Sequence, residues 1–275
     1  MATFQFKEHA IHYELDGHSD KPVLVLLNGI MMSTRSWDMF VEAFMPHVRL
    51  LRVDLLDQGQ SAHMDSPYTQ ALQVDLLQSL LTHLQINQVH VAAISYGGSV
   101  ALQWAARNDD RIKRLVLFNA VAKTSPWLKA IGQGWNAVAR SRDAEAYYHI
   151  TIPFIYSPDF YTRNLAWMEA RKVKLLPIFG HAPFLEAMIR LTNSAESHDV
   201  EQELSQIKAK TLVVASEHDY LTPVFEQAYI AKQIPNARLV VFNDCGHASM
   251  YEKPDLFVST ILGFILDDQK AYPLP

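Results

Sequence analysis

The segment Val89-His-Val-Ala-Ala-Ile94, followed at once by Ser95-Tyr-Gly-Gly98, decides how this chain folds. An apolar run of this length is typical of a strand that is buried on both faces. From residue 98 to residue 107, apolar side chains recur at intervals of three and four, which predicts a helix. A sharp strand-to-helix turn is therefore expected at Ser95.

The same strand pattern recurs along the chain, in short apolar runs at 23–27, 50–53, 115–118, 211–215 and 239–242. Helical patterns such as 70–84 lie between these runs. Alternating strands and helices predict an α/β protein with a mostly parallel, doubly wound sheet. Between residues 4 and 15, polar and apolar side chains alternate, which predicts an antiparallel pair at the sheet edge.

The strand-helix alternation stops between residues 121 and 205, where many aromatic residues occur within helical patterns. This break predicts a helical cap inserted between two strands of the sheet. The predicted domains are a core of residues 1–120 and 206–275 and a cap of residues 121–205. We expect Trp127, Phe154 and Phe184 of this cap to line a substrate pocket, although aromatic residues also fill the cores of helical subdomains.

The residues around Ser95 suit a nucleophile. Ala93 and Gly97 supply the small neighbours that a nucleophile elbow needs on either side of its serine, although glycine is the usual residue at the first position. Asp219 and His247 each follow a predicted strand, in the order serine, acid, histidine. The carboxyl ends of parallel strands meet at one edge, so we predict a triad with Ser95 as nucleophile, His247 as base and Asp219 orienting that base.

Other residue types near these positions leave alternatives. His218 is a poorer base because it shares the loop of Asp219, and Glu217 and Asp244 are alternative acids. Cys245 is the single cysteine, and no elbow surrounds it, so a thiol nucleophile is disfavoured. Asn119 follows the 115–118 run and cannot act as a carboxylate.

A glycine turn follows the first parallel strand at Asn28-Gly29-Ile30-Met31. Such a turn directs backbone N–H groups towards the crevice at the strand ends. We predict the amides of Ile30 and Tyr96 as the oxyanion hole, and Asn28 and Met31 as substrate-binding residues.

With these motifs, residues 4–266 resemble an α/β-hydrolase. The Asn28-Gly29 pair, the 54–61 run and Ala93 further resemble the RhlA-type 3-hydroxyacyl-ACP acyltransferases. The first resemblance implies an acyl-enzyme on Ser95 and no cofactor, and its spacing favours Asp219 as the acid. The second implies acyl carrier protein as a partner and as the donor of two 3-hydroxyacyl units that the enzyme joins.

The predicted function is that of a serine hydrolase or acyltransferase, acting on carboxylic esters or acyl thioesters with an apolar acyl chain. The alternatives are an RhlA-like synthase and, in another class, a ligand receptor of the hydrolase fold with slow or no turnover. The cap carries a basic stretch, which suits contact with an acidic carrier protein or a solvated helix face. This stretch consists of Arg163, Arg171, Lys172, Lys174 and Arg190.

Composition narrows the classes of partner. The formal net charge of −5 disfavours nucleic acid, and the residue spacings match no zinc site. Charged residues interrupt the N-terminal segment early, so no secretion signal or membrane span is expected there. One cysteine suits a reducing compartment, and we expect a cytoplasmic protein.

Overall fold

The computed structural model describes residues 2–107 and 109–267. These residues form an eight-stranded sheet with the order β1-β2-β4-β3-β5-β6-β7-β8. Strands β1 and β2 pair antiparallel with each other, β2 pairs antiparallel with β4, and the remaining neighbours are parallel. The strands are β1 Ala2–Phe6, β2 His9–Asp16, β3 Val23–Leu27, β4 Arg49–Val53, β5 Val89–Ile94, β6 Ile112–Phe118, β7 Lys210–Ser216 and β8 Ala237–Phe242.

Helices follow most of the parallel strands. They are α1 Val41–Phe44, α2 Gln70–His83, α3 Tyr96–Ala106, α4 Pro126–Ser141, α5 Ala144–Ile155, α6 Pro158–Arg163, α7 Leu165–Phe179, α8 Ala182–Ser194, α9 Val224–Gln233, α10 Ser249–Glu252 and α11 Pro254–Ile265. Short 3₁₀ helices occupy Thr34–Phe40 and Leu204–Gln206. The α/β fold class predicted from the sequence is confirmed.

Two apolar clusters cover the two faces of the sheet. Successive side chains of a strand point to opposite faces, so Val25 and Leu27 of β3 join the cluster with α2 and α3. Leu24 and Leu26 join the other cluster, which includes residues of α1 and α11. Helices on both faces explain why β3 is apolar at every position.

Strand β8 differs from the sequence prediction of a strand buried on both faces. Leu239, Val240 and Val241 are each 38% exposed. Because β8 lies at the end of the strand order and pairs with β7 along one side, its side chains have fewer neighbours than those of an inner strand. Apolar composition alone does not distinguish an edge strand from an inner one.

Five helices, α4 to α8, stand between β6 and β7 in the chain. Helix α4 packs against α8 and α5 packs against α7. The serine before α4 caps it by accepting a hydrogen bond from Leu128 N, and Asp143 caps α5 by accepting one from Ala146 N. Aromatic rings fill the space between these helices: Tyr147 meets Phe179 edge-on, and Phe179 stacks on Phe184.

In the part of the chain that the structure describes, no helix is both long enough and apolar enough to span a bilayer. Residues 268–275, which the sequence prediction assigns to the core, lie outside that part.

Candidate active site

Ser95 lies at the turn between β5 and α3, with φ 54° and ψ −119°. This conformation is costly for a residue with a side chain, and it persists only where the surrounding structure enforces it. Close packing of the turn against β3 supplies that constraint. A Cβ at Gly97 would lie 2.7 Å from the carbonyl oxygens of Leu27 and Asn28, so a glycine is required there. The turn has the geometry of a nucleophile elbow.

The loops after β7 and β8 bring an acid and a histidine together. His247 Nδ1 donates to Asp219 Oδ2 over 2.7 Å, and both side chains are buried. The carboxylate of Asp219 also accepts from the N–H groups of Leu221 (2.8 Å) and Thr222 (3.0 Å) and from the Thr222 hydroxyl (2.7 Å). These bonds fix the acid, and the bond to Nδ1 leaves the Nε2 lone pair of His247 free to accept a proton.

The predicted oxyanion-hole residues are near Ser95: Tyr96 follows it directly in the chain, and Ile30 lines the same cavities. Tyr96 is the first residue of α3, so its N–H has no acceptor within the helix. Among the described residues, neither amide has a hydrogen-bond acceptor. Two unpaired N–H groups next to a nucleophile are what an oxyanion hole requires. Their assignment to that role stays a prediction.

Two cavities meet at Ser95, and we name them after the helices that wall them. The α4–α8 arm has a volume of about 100 Å³. The α5–α7 arm has a volume of about 90 Å³. Ile30, Ser95, Ile155 and His247 line both arms. The structure therefore has space on two sides of the Ser95 side chain.

The predicted substrate-binding residues occupy different places. Met31 lines the α5–α7 arm, whereas Phe184 lines a separate surface groove beside Met31. Among described residues, Asn28, Trp127 and Phe154 do not belong to the walls of either arm.

The side chain of Asn28 is fully engaged in the core. Its amide donates to Val53 O and Gln58 Oε1, and its carbonyl oxygen accepts from Trp37 Nε1. Trp127 is 59% exposed and donates to the carbonyl oxygen of Tyr220. Spacing along the chain could not show either arrangement.

Sequence reasoning excluded Asn119 as an acid but missed what its side chain does. Asn119 Nδ2 donates to the backbone carbonyl of His247 over 2.8 Å and to Ser216 Oγ over 3.1 Å. The residue has φ 50°, a left-handed conformation that asparagine tolerates. Its position after β6, at the same sheet edge as Ser95, was the available signal.

The alternative nucleophile lies in the core. The Cys245 thiol is fully buried, and burial raises its pKa to about 12, so it is protonated at neutral pH. Glu217, His218 and Asp244 place possible metal-ligand atoms within 4.8 Å of one another, but the two acidic residues are exposed. In the described structure, this group does not line either arm.

Known proteins with similar sequences or structures fall into one fold. The family model described as alpha/beta hydrolase fold matches residues 22–254. The structure resembles that of MGS-M2, an alpha/beta hydrolase enzyme from a Medee basin deep-sea metagenome library. The TM-score is 0.96 and the identity 53%, with 99% of this chain and 100% of that chain covered.

Two sequence relatives cover nearly the whole chain. A protein of Caulobacter sp. (strain K31) named as carbamate hydrolase RutD is 27% identical, over 93% of this chain and 95% of its own length. The pimeloyl-[acyl-carrier protein] methyl ester esterase of Nitrosomonas europaea is also 27% identical, over 91% of this chain and 97% of its own length. Both names describe hydrolytic enzymes rather than receptors.

Proposed function

The chain belongs to the α/β-hydrolase fold family and is a hydrolase of that fold, and from this premise we propose that it hydrolyses carboxylic esters through Ser95, His247 and Asp219. One observation carries the proposal: His247, which is hydrogen-bonded to Asp219, lines the same two cavities as the elbow serine. A nucleophile, a base and a group that orients the base form the unit that acyl transfer needs.

The reaction proceeds through an acyl-enzyme. His247 Nε2 takes the hydroxyl proton as Ser95 Oγ bonds to the ester carbonyl carbon, and the amides of Ile30 and Tyr96 stabilise the oxyanion. When the tetrahedral intermediate collapses, the bond to the leaving oxygen breaks and the imidazolium gives that oxygen its proton. Water then attacks the acyl-enzyme by the same steps and releases the acid and free Ser95.

The walls of the arms favour substrates with apolar chains. Leu128, Ile131 and Trp135 line the α4–α8 arm, and Ile152 and Phe179 line the α5–α7 arm. Helices α4, α5 and α7 supply these apolar side chains, which supports treating residues 121–205 as a cap over the core. The methyl ester named for the Nitrosomonas relative supports ester hydrolysis. Acyl transfer to a hydroxyacid, with acyl carrier protein as partner, stays an untested alternative that product analysis would reveal.

Replacement of the nucleophile tests the proposal. Ser95→Ala should lose on the order of a millionfold in kcat on 4-nitrophenyl butyrate, because triad members act as a unit. The variant should also lose stoichiometric labelling by a fluorophosphonate probe, while its circular dichroism and Tm stay close to those of the parent.

The matched control is Ser79→Ala, which removes a hydroxyl that bonds within α2. It should keep both labelling and turnover. If folded Ser95→Ala kept a tenth of the parent activity, the nucleophile would be another group.

A further inference from the structure

The α5–α7 arm contains a guanidinium group that forms no ion pair with an acidic side chain of the described residues. Arg171 extends from α7 to line the arm that contains Ser95. Its guanidinium carbon lies 4.4 Å from the ring centroid of Tyr251, 5.3 Å from that of Trp167 and 5.9 Å from that of Tyr156. The rings hold the guanidinium by cation–π contacts, but they do not satisfy its N–H donors. Its Nε is buried without a hydrogen-bond partner among the residues described.

A second unpaired donor lines the same arm. The hydroxyl of Tyr156 is buried and has no hydrogen-bond partner within the described chain. Burial raises the pKa of Tyr156, so the phenol stays neutral and can donate a proton in a hydrogen bond. Two buried donors left unpaired are costly to the folded protein unless a ligand supplies the acceptor.

Three other cations of the basic stretch have carboxylate partners. Lys172 lies 2.6 Å from Glu145, and Arg163 lies 2.9 Å from Asp159. Arg190 lies 2.6 Å from Asp57. Arg171 differs from these three because it faces a cavity instead of a side-chain acid.

We propose that Arg171 and Tyr156 bind a carboxylate on the substrate chain that occupies the α5–α7 arm. A planar guanidinium and a hydroxyl donor match the two oxygens of a carboxylate. Apolar side chains such as Met31, Leu175 and Phe179 line the same arm and suit methylene groups between the carboxylate and the reacting ester. The substrate class is therefore an ester whose apolar chain ends in a carboxylate. This inference rests on the proposed function, because it takes Ser95 as the nucleophile.

Two matched pairs of esters test the inference. Monoethyl adipate against ethyl hexanoate places the carboxylate on the acyl side, and 6-acetoxyhexanoate against hexyl acetate places it on the alcohol side. In one of the two pairs, according to which side of the ester enters the arm, kcat/KM of the parent protein should be at least about tenfold higher for the carboxylate ester than for the neutral ester. The difference should come mainly from a lower KM, as expected for hydrogen bonds to a charged group.

Variants of the two donors should change the ratio of kcat/KM for the carboxylate ester to kcat/KM for the neutral ester. Arg171→Gln should bring it close to one, Arg171→Lys should give an intermediate ratio, and Tyr156→Phe should lower it several-fold. Lys172→Gln removes the neighbouring charge, which pairs with Glu145, and should leave the ratio unchanged. A parent protein that prefers the neutral ester in both pairs would overturn the inference, as would an Arg171→Gln protein that keeps the preference.

The binding step can be measured without turnover. Calorimetric titration of Ser95→Ala with the preferred carboxylate ester should show binding that Ser95→Ala/Tyr156→Phe weakens, and unchanged affinity in the second protein contradicts the inference. Turnover by Ser95→Ala would refute the proposed function instead, so the two failures can be told apart.

Discussion

Individual residues that have no role in the proposed chemistry hold the candidate catalytic residues in place by hydrogen bonds. Asn119 is completely buried and joins the loop of His247 to the end of β6 through one amide. The Thr222 hydroxyl and the nearby N–H groups hold Asp219 from the other side. Catalysis needs reacting groups held within a fraction of an ångström, so such contacts should affect rate as well as stability.

The first prediction concerns Asn119→Gly, which removes the amide while allowing the positive φ of this position. The buried carbonyl of His247 then loses its donor, at a cost of about 1–3 kcal/mol. We expect kcat on 4-nitrophenyl butyrate to fall by about tenfold or more with a smaller change in KM, since a positional error in the base acts on the chemical step. Steady-state kinetics and Tm measure both effects.

Ser216→Ala is the control for that variant. It removes the other acceptor of the Asn119 amide and leaves the bond to His247 in place. If Ser216→Ala lowered kcat as much as Asn119→Gly, the bond to the His247 carbonyl would not be the cause.

Sequence gives the identity of the predicted triad more readily than the roles of its neighbours. Ser95, Asp219 and His247 could be chosen because each follows a strand, and position after a strand is a local property. Arg171 and Lys172 are adjacent in sequence, yet one faces the cavity and the other pairs with Glu145. That difference depends on how α7 is rotated against its neighbours, which residue type does not specify.

At the scale of elements, the close approach of α3 to β3 sets the position of the predicted nucleophile. Gly97 allows this approach, because any side chain there would meet two backbone carbonyl oxygens. Backbone atoms of a central strand cannot move without disturbing the sheet on both sides.

The second prediction is that Gly97→Ala moves Ser95 and lowers kcat/KM on the order of a hundredfold, the loss expected for a misplacement of about 1 Å. Gly263→Ala is the matched control. Gly263 lies in α11, and a Cβ there would have no neighbour within 4 Å in the described structure. This control should keep full activity and raise the free energy of unfolding by about 0.5–1 kcal/mol, because alanine is the better helix former. Full activity in Gly97→Ala would show that the backbone near residue 97 can move enough to accept a methyl group without displacing Ser95.

Helix α8 is tied to the loop after β4 by a buried ion pair. Arg190 donates to both carboxylate oxygens of Asp57, over 2.6–3.1 Å, and the Asp57 side chain is fully buried. Asp57 also accepts from Met64 N and has φ 66°. A buried charge that loses its partner is strongly destabilising.

The third prediction follows from that pair. Arg190→Met should lower the free energy of unfolding by about 3 kcal/mol or more, because the buried carboxylate of Asp57 then loses its guanidinium partner. Asp57→Asn/Arg190→Met removes both charges, keeps an acceptor for Met64 N and should recover part of the loss. Urea denaturation of the parent, both single variants and the double variant gives the coupling energy directly. Additive losses would mean that the two side chains act independently.

The bounds of two strands in the middle of the sheet, in which nearly every residue is buried, were predicted correctly. Strands β3 and β5 were predicted at their observed bounds, because apolar runs in the middle of a parallel sheet leave little choice of boundary. For β8 the run was found but its exposure was not, since edge position depends on the order of strands in space. Residues 23–27 and 239–242 are similarly apolar, and only topology distinguishes their surroundings.

Across the molecule, we expect the two arms between the core and the inserted helices to determine which substrates fit. Trp135 is 7% exposed and lines the α4–α8 arm, whereas Trp127 on the same helix is 59% exposed. Replacing each tryptophan in turn therefore distinguishes the effect of the cavity wall on chain-length preference from the effect of the helix surface.

The fourth prediction concerns neutral straight-chain esters. The specificity constant should rise with chain length, by roughly fourfold for each methylene that contributes about 0.8 kcal/mol of burial, and should level off once the arm is full. Transition-state binding sets kcat/KM, so the rise should appear there even where kcat is constant.

Trp135→Ala should move the plateau to longer chains, because truncation of the ring enlarges the arm. Trp127→Ala should leave the plateau unchanged, since its ring lies outside the cavity wall. Parallel assays of 4-nitrophenyl esters from two to twelve carbons on the three proteins measure the shift. A specificity constant independent of chain length in the parent would show that the α4–α8 arm does not receive an apolar chain.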